Sequence, residues 1–261
     1  MDSNPVIIAL DTSSTLKALQ LVRRLKITGV AFKIGFELFS AGGPRIVERI
    51  VGHDVRVFLD LKFHDIPNTV SRAVSVATSL GVWMLNVHTS GGTEMMKAAA
   101  NSALETAIRQ KVPPPCVVGV TVLTSLSDLK EINVSLPVDA QVRHLARLAQ
   151  KAGLNGVVAS AQEASFIRSD CGEKFTIVTP GIRFPKSPLM VREDLALPVQ
   201  ANGGYGGAAG HAPDLKDDQK RTMTPNEALE SGADYLVIGR PVIESLRPLK
   251  VVDQLLSDLG I

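Results

Sequence analysis

The sequence predicts an α/β fold, a single-domain (β/α)8 or TIM barrel over residues 1–261, and three observations support it. Its 261 residues match the length of such barrels, which is about 250 residues. A hydrophobic fraction of 45% supplies enough apolar material for one large core. Short runs rich in β-branched residues alternate with segments of helical periodicity along the chain. That alternation requires a parallel sheet.

Eight apolar runs are the predicted strands, and apolar residues recur three and four positions apart between them. We assign the strands to residues 6–10, 30–34, 55–61, 84–88, 116–122, 156–159, 175–179 and 235–238. Helical periodicity is clearest over residues 94–108 and 141–151. The chain contains eight such units, and its composition does not change along its length as it would at a boundary with a second domain. This favours a closed barrel over an open doubly wound sheet.

Composition and charge exclude several classes of protein. The net charge of +2 is close to neutral, so we expect neither a nucleic-acid partner nor a membrane partner. Cys116 and Cys171 are too few for a disulfide framework and lack the spacing of metal ligands. The N-terminal residues lack the features of a signal peptide, and no stretch approaches the roughly 20 apolar residues of a membrane span. We therefore expect a cytoplasmic protein.

A glycine-rich region interrupts the alternation at about residues 184–217. A long irregular segment inside a compact domain is often functional, and loops after the seventh and eighth strands of a barrel often hold phosphate. We predict a functional loop at the ends of this region, with inserted glycine-rich material in its middle.

Charged residues stand at the carboxyl ends of three predicted strands. Asp60 and Lys62 should share one face of their strand, because side chains two residues apart point the same way. Lys33 and Asp11 end two other strands, and barrel active sites are assembled from such positions. A structural salt bridge would also explain Asp60 and Lys62 alone, and an isolated aspartate at position 11 is more often a helix N-cap. The second lysine favours an active site.

Gly239 and Arg240 follow the eighth strand and suggest a phosphate site. Backbone N–H groups at a helix N-terminus, together with an arginine, bind phosphate well. A surface arginine after a turn glycine is the alternative. Residues 180–183 and 217–221 bracket the long loop and are further candidates for anion contacts.

The chain resembles the bacterial-type orotidine 5′-monophosphate decarboxylase family from near Asp11 to about Val242. The block DLKFHDIPNT at residues 60–69 is the most specific part of the resemblance. The other matching motifs, in the order of the family, are ALD at 9–11, FKIG at 32–35, LTS at 123–125, PGIR at 180–183, DQ at 218–219 and IGRP at 238–241. The departure is the loop between Arg183 and Gln219, which is longer than bacterial-type members usually carry.

The resemblance implies a set of catalytic residues. They form an alternating network of two lysines and two aspartates: Lys33, Asp60, Lys62 and Asp65. It also implies a homodimer with shared active sites, in which Asp65 and Thr69 act across the interface. No metal and no organic cofactor are implied.

The resemblance also implies a set of substrate-binding residues. Asp11 with Lys33 would bind the ribose, and Thr124 with Ser125 would meet the pyrimidine. Around the phosphate would lie Arg183, Gln219, Gly239 and Arg240, with Gln219 also able to reach the base.

The implied reaction is decarboxylation of orotidine 5′-monophosphate to uridine 5′-monophosphate, the last step of de novo pyrimidine nucleotide synthesis. Fixed charges would stabilise a carbanion at C6, and Lys62 would then protonate it. Two alternatives remain. A sister sugar-phosphate decarboxylase or hexulose-phosphate synthase would use Mg²⁺, but carries an acidic metal ligand near the position of Lys33. A non-catalytic barrel that binds a nucleotide or phosphate has no need of two lysines alternating with two aspartates.

Overall fold

Eight parallel strands close into a barrel in this computed structural model, which describes residues 4–182 and 223–261. Each strand pairs with the next along the chain, and the first pairs with the eighth to complete the closure. The predicted (β/α)8 barrel is therefore confirmed. The strands are β1 (Val6–Ala9), β2 (Ala31–Ile34), β3 (Val57–Phe63), β4 (Met84–His88), β5 (Cys116–Val120), β6 (Gly156–Val158), β7 (Thr176–Thr179) and β8 (Tyr235–Ile238).

The predicted strand bounds were wrong by one or two residues except at the fourth and eighth strands. β3 starts and ends two residues later than predicted, and β5 ends at Val120 rather than at residue 122. Apolar content misled the sequence prediction, because apolar residues continue beyond the paired segments. Val122, for example, has left the β5 ladder and lines a cavity.

Helices connect the strands and surround the barrel. They are α1 (Thr15–Leu25), α2 (Phe36–Val51), α3 (Pro67–Ser79), α4 (Gly92–Gln110), α5 (Val138–Lys151), α6 (Ala161–Cys171), α7 (Pro225–Glu230), α8 (Arg240–Ile243) and α9 (Pro248–Asp258). The two segments of helical periodicity lie within α4 and α5. A kink interrupts α2 at Gly43, where φ is 59°. None of the helices in the described part of the chain is long and apolar enough to cross a membrane.

The strand pleat separates two apolar cores. On β2, Phe32 and Ile34 face outward and join the large core between the barrel and the helices. Ala31 faces inward and joins a smaller core inside the barrel. Alternation therefore also turns Lys33 inward, near the carboxyl end of its strand. The inner core is apolar at the amino ends of the strands, and charged groups replace it toward the carboxyl ends.

Arg168 on α6 joins the loops before β7 and β8 by hydrogen bonds, at the end of the barrel opposite the charged groups. It donates to the backbone carbonyl of Gly232 at 2.8 Å and to Asp234 Oδ2 at 2.7 Å, both just before β8. Asp234 Oδ2 also accepts from the Ile177 N–H of β7 at 2.7 Å. In the loop before β7, the guanidinium donates to the carbonyl oxygens of Gly172, Glu173 and Phe175.

Replacing Arg168 by alanine should destabilise the barrel by about 2–4 kcal/mol, because three part-buried acceptors lose their donor at once and Asp234 loses its ion-pair partner. Urea unfolding should show a lower midpoint with an unchanged slope. Arg147→Ala is the matched control, since Arg147 is 63% exposed and contacts only Asp170 among charged partners of the described chain. Equal stability of the two variants would contradict the proposed role of Arg168.

Candidate active site

A cavity of about 280 Å³ opens among the carboxyl ends of the strands and the loops that follow them. Seven of the residues predicted for the site line it: Asp11, Lys33, Asp60, Lys62, Thr124, Gly239 and Arg240. They come from β2, β3, the loops after β1, β5 and β8, and the start of α8. The structure therefore brings together residues that are more than 200 positions apart in the sequence.

Asp60 lies between two lysines on the inner face of the barrel. Lys33 Nζ is 3.3 Å from Asp60 Oδ2, and Lys62 Nζ is 2.6 Å from Asp60 Oδ1. The side chains of Lys33 and Asp60 are only 12% and 11% exposed, so water screens their attraction weakly. The expectation that Asp60 and Lys62 share one face is confirmed.

Mutual attraction keeps this cluster charged despite its burial. Burial opposes ionisation of Asp60, but the charges of Lys33 and Lys62, with hydrogen bonds from Lys62 and Asn86, outweigh it. The pKa of the Asp60 carboxyl therefore lies below its usual range. Burial likewise opposes the charge of Lys33, but Asp60 and Asp11 outweigh it and raise the pKa of Lys33 above its usual value. A buried carboxylate is thus held as an anion between two ammonium groups.

Asp11 extends the cluster toward solvent. Its Oδ1 lies 3.3 Å from Lys33 Nζ, and its side chain is half exposed. Two glycines leave room for this pair. A Cβ at Gly35 would lie 3.0 Å from Lys33 Nζ, and a Cβ at Gly239 would lie 3.1 Å from Asp11 Oδ2.

A β-bulge sets the position of Lys62. β3 and β4 pair Leu59 with Leu85 and next pair Phe63 with Val87, so four residue steps on β3 face two on β4. Lys62 takes up part of the extra length with a left-handed φ of 43°, a strained conformation for a residue with a side chain. Asp60 and Lys62 therefore reach the same side of β3 through the distorted backbone of the bulge and not through regular strand alternation alone.

Asn86 is the residue that the sequence analysis missed. It is fully buried on β4 opposite the bulge, where it donates to Asp60 Oδ1 at 2.7 Å and accepts from the Lys62 backbone N–H at 2.7 Å. The available signal was one amide side chain in the apolar run of Met84–His88. A buried amide at such a position needs polar partners.

Lys62 also has aromatic neighbours. Its Nζ lies 5.5 Å from the centroid of the Phe36 ring, within the range of a cation–π contact. The rings of His64 and His88 lie 5.4 Å apart nearby. Burial, His64 and Lys62 together lower the pKa of His88 below its usual range.

The rest of the cavity wall is largely apolar. Inward-facing side chains of four strands contribute Phe58, Val120, Val158 and Val237, and the loops after β5 and β7 add Leu123 and Ile182. One side of the cavity is therefore charged and the other is apolar, an arrangement typical of small-molecule sites. The described residues contain no group of three or more His, Cys, Asp or Glu side chains arranged to hold a metal ion.

Three of the described residues predicted for the site do not line the cavity. Asp65 and Thr69 are exposed on the segment after β3, and Ser125 is exposed beside Thr124. Asp65 forms no ion pair within residues 4–182 and 223–261, and its Oδ1 accepts from the Ile66 N–H at 2.6 Å. Arg183 and Gln219, with the loop at 184–217, lie outside the described residues.

Comparison with known proteins decides the family. Residues 4–196 match the model of the orotidine 5′-phosphate decarboxylase / HUMPS family. The chain belongs to this family. The family expected from the sequence, a family of carboxy-lyases, is confirmed.

Relatives named orotidine 5′-phosphate decarboxylase match nearly the whole chain. The protein of Legionella pneumophila strain Corby is 44% identical over 256 residues, which cover 97% of this chain and 98% of that protein. The protein of Idiomarina loihiensis is 45% identical over 257 residues, with 98% and 97% covered. The crystal structure of the Lactobacillus acidophilus decarboxylase is 29% identical, with a TM-score of 0.77 over 98% of this chain and 99% of that one.

Asp60→Asn should change how stability depends on acid. In the wild type, the stabilising effect of the Asp60 charge is complete above the ordinary pKa of 3.8 and is lost as pH falls through the lower folded pKa. Between about pH 5 and pH 2, we expect the free energy of unfolding to fall more steeply for the wild type than for Asp60→Asn. Urea unfolding at a series of pH values would measure this. Asp253→Asn on the exposed side of α9 should keep the wild-type acid dependence. If the free energy of unfolding of the wild type and that of Asp60→Asn depended on acid pH in the same way, this would be inconsistent with a buried ionised Asp60.

Proposed function

We propose that the protein decarboxylates orotidine 5′-monophosphate to uridine 5′-monophosphate, the last step of de novo pyrimidine nucleotide synthesis. The observation that carries the proposal is the buried Lys33–Asp60–Lys62 cluster at the edge of a cavity with an apolar wall. The names of relatives at 44–45% identity over nearly the whole chain support the same reaction.

The reaction needs charge placed in advance. Loss of CO2 from C6 leaves an anion in the plane of the pyrimidine ring, where the π system cannot delocalise it. Such an anion is stabilised best by fixed charges and dipoles that need not reorganise during the reaction. Lys62, already held by Asp60 at 2.6 Å, supplies a fixed cation of this kind.

Lys62 and Asp60 take different roles in the proposed mechanism. The substrate carboxylate lies against Asp60, and the repulsion between the two is relieved as CO2 departs. Lys62 stabilises the developing carbanion and then transfers a proton from Nζ to C6. Because Asp60 also pairs with Lys33 at 3.3 Å, it stays oriented when Lys62 gives up its proton.

The other residues bind the substrate around this centre. Asp11 and Lys33 bind the ribose hydroxyls, and Thr124 with Ser125 meets the pyrimidine edge. Phe58, Val120 and Val158 offer the ring an apolar wall. The phosphate binds at Gly239 and Arg240, with Arg183 and Gln219 as further proposed contacts.

A homodimer is part of the proposal. Residues 64–69 form a continuous exposed segment after β3, and Ile66 within it is 66% exposed. A second copy packed on this segment would cover Ile66 and bring Asp65 and Thr69 to the partner's site. Asp65 would then complete the alternating network by facing Lys62 of the other protomer.

A Mg²⁺-dependent sugar-phosphate reaction is the second candidate, because the family model also covers the HUMPS group. Lys33 counts against it. Its ammonium group, paired with Asp11 and Asp60, occupies the place where the sister enzymes carry an acidic metal ligand, and a fixed cation there repels a divalent ion.

The purified protein should decarboxylate orotidine 5′-monophosphate, followed by ultraviolet absorbance, with and without EDTA. Lys62→Ala should abolish measurable turnover, a loss of at least about 10³-fold, since it removes both the cation and the proton donor. Lys97→Ala, which removes a half-exposed lysine of α4 paired with Glu94, is the control and should retain wild-type kcat. Circular dichroism and size-exclusion chromatography check that each variant is a folded dimer. Inactive wild type, or activity that EDTA removes, would refute the proposed function; an active Lys62→Ala would refute the role of Lys62.

Arg240→Ala tests the phosphate site. Loss of a charge-assisted contact should raise KM and lower kcat/KM roughly 150-fold, which corresponds to about 3 kcal/mol. If kcat also falls, this would indicate that phosphate binding helps to assemble the catalytic site. Arg247→Ala removes an exposed arginine from the segment before α9 and should leave both constants unchanged. Kinetic constants of Arg240→Ala near those of the wild type would remove Arg240 from the substrate site.

A further inference from the structure

We propose that Asn86 is a positioning residue that holds Asp60 and Lys62 in their working geometry without touching the substrate. The inference rests on the proposed function and adds a residue to it. It is carried by two hydrogen bonds, by the burial of Asn86 and by the bulge that Asn86 faces.

The first hydrogen bond joins the Asn86 side chain to the backbone of Lys62. Between the Leu59–Leu85 and Phe63–Val87 pairs, the β3–β4 ladder is interrupted, so the Lys62 N–H has no regular strand partner there. Asn86 Oδ1 accepts from this N–H at 2.7 Å. The amide oxygen therefore takes the place of a ladder carbonyl and holds Lys62 at its left-handed φ of 43°.

The second hydrogen bond joins the same side chain to Asp60. Asn86 Nδ2 donates to Asp60 Oδ1 at 2.7 Å, the oxygen that also accepts from Lys62 Nζ at 2.6 Å. Asp60 is thus held by three donors, with Lys33 on Oδ2 and Lys62 and Asn86 on Oδ1. The two lysines supply the positive charge around Asp60. The neutral amide of Asn86 helps to orient the carboxylate without adding a third cation.

Burial makes Asn86 a supporting residue and not a substrate ligand. Its exposed fraction is 0%, and it is absent from the residues that line the cavity. An asparagine can serve two such partners because its amide offers an acceptor and a donor at once. A leucine at position 86 would leave the Lys62 N–H and one lone pair of Asp60 without these partners.

Asn86→Ala and Asn86→Asp separate positioning from packing. With Asn86→Ala, kcat should fall by about tenfold or more while KM stays within about twofold, because the substrate contacts remain and the orientation of Asp60 and Lys62 is lost. Asn86→Asp keeps the shape and the acceptor for Lys62 N–H. Its added carboxylate faces Asp60 and can donate only when the pair shares one proton.

The pH profile of Asn86→Asp is therefore the distinguishing measurement. Its kcat should rise toward acid pH along a limb that the wild type lacks, as the shared proton restores the missing donor. The charged and titratable groups that face the pair are Lys33 on β2, Lys62 on β3, and His88 with His64, and all are present in both proteins. Asn155→Asp is the matched control, since among the described residues Asn155 Oδ1 accepts only the Val117 N–H, at the far end of the barrel. It should show the wild-type profile.

A second measurement does not depend on activity. Loss of the Asn86 donor should raise the pKa of the Asp60 carboxyl, which carbon-13 NMR of labelled aspartate follows, with Asp60→Asn to assign the signal. An unchanged Asp60 titration in Asn86→Ala would overturn the positioning role. If Asn86→Ala does not fold, a wild-type pH profile in Asn86→Asp would overturn it instead. A wild type inactive on the nucleotide would refute the proposed function alone, and the NMR titration would still decide the role of Asn86.

Discussion

One buried carboxylate between two ammonium groups is the interaction on which the rest of the site depends. Asp60 lowers the cost of placing Lys33 and Lys62 inside the barrel, and the two lysines keep Asp60 ionised. Removing Asp60 would leave two buried ammonium groups without the carboxylate that they share. Asp60 is therefore the central member of the cluster, and the surrounding residues act to hold it or to leave room for it.

The barrel supplies what such a cluster requires. Lys33 lies on β2, where it pairs with both β1 and β3, and Asp60 directly follows Leu59, the last residue of β3 that pairs with both neighbouring strands. The inner apolar core of the barrel, built from residues such as Phe58 and Val118, closes the interior below the charges. At the other end, Arg168 joins the loops before β7 and β8. The barrel is thus held rigid at the amino ends of its strands and carries the charged cluster toward their carboxyl ends. A rigid scaffold keeps charged groups in fixed positions, which electrostatic catalysis requires.

Strand-end residues were the part of the site that the sequence could predict. Lys33 and Asp60 lie near the carboxyl ends of apolar strands and Asp11 follows one, and parallel strands bring their carboxyl ends to one edge. Asn86 could not be assigned in the same way, because one amide in an apolar strand does not reveal its partners. The bulge was also hidden, since the residues 60–62 fit a regular strand equally well. Its existence depends on how β3 pairs with β4, which is a long-range property.

The limits of the strand predictions have a similar cause. Val55 and Val122 are apolar and β-branched, yet neither is paired, because tertiary packing and not propensity ends the ladder. The placement of Asp65 shows a different limit. Its side chain is exposed and away from the cavity, and only the family resemblance gave it a place in the network.

The bulge has a consequence for attempts to transplant this chemistry into another scaffold. The tripeptide Asp-Leu-Lys at positions 60–62 is not a self-contained cassette, because four steps of β3 span two steps of β4. Grafted onto an evenly paired strand, it would carry the side chains without the backbone turn at Lys62. A designer would have to copy the lengthened strand and the amide of its neighbour together.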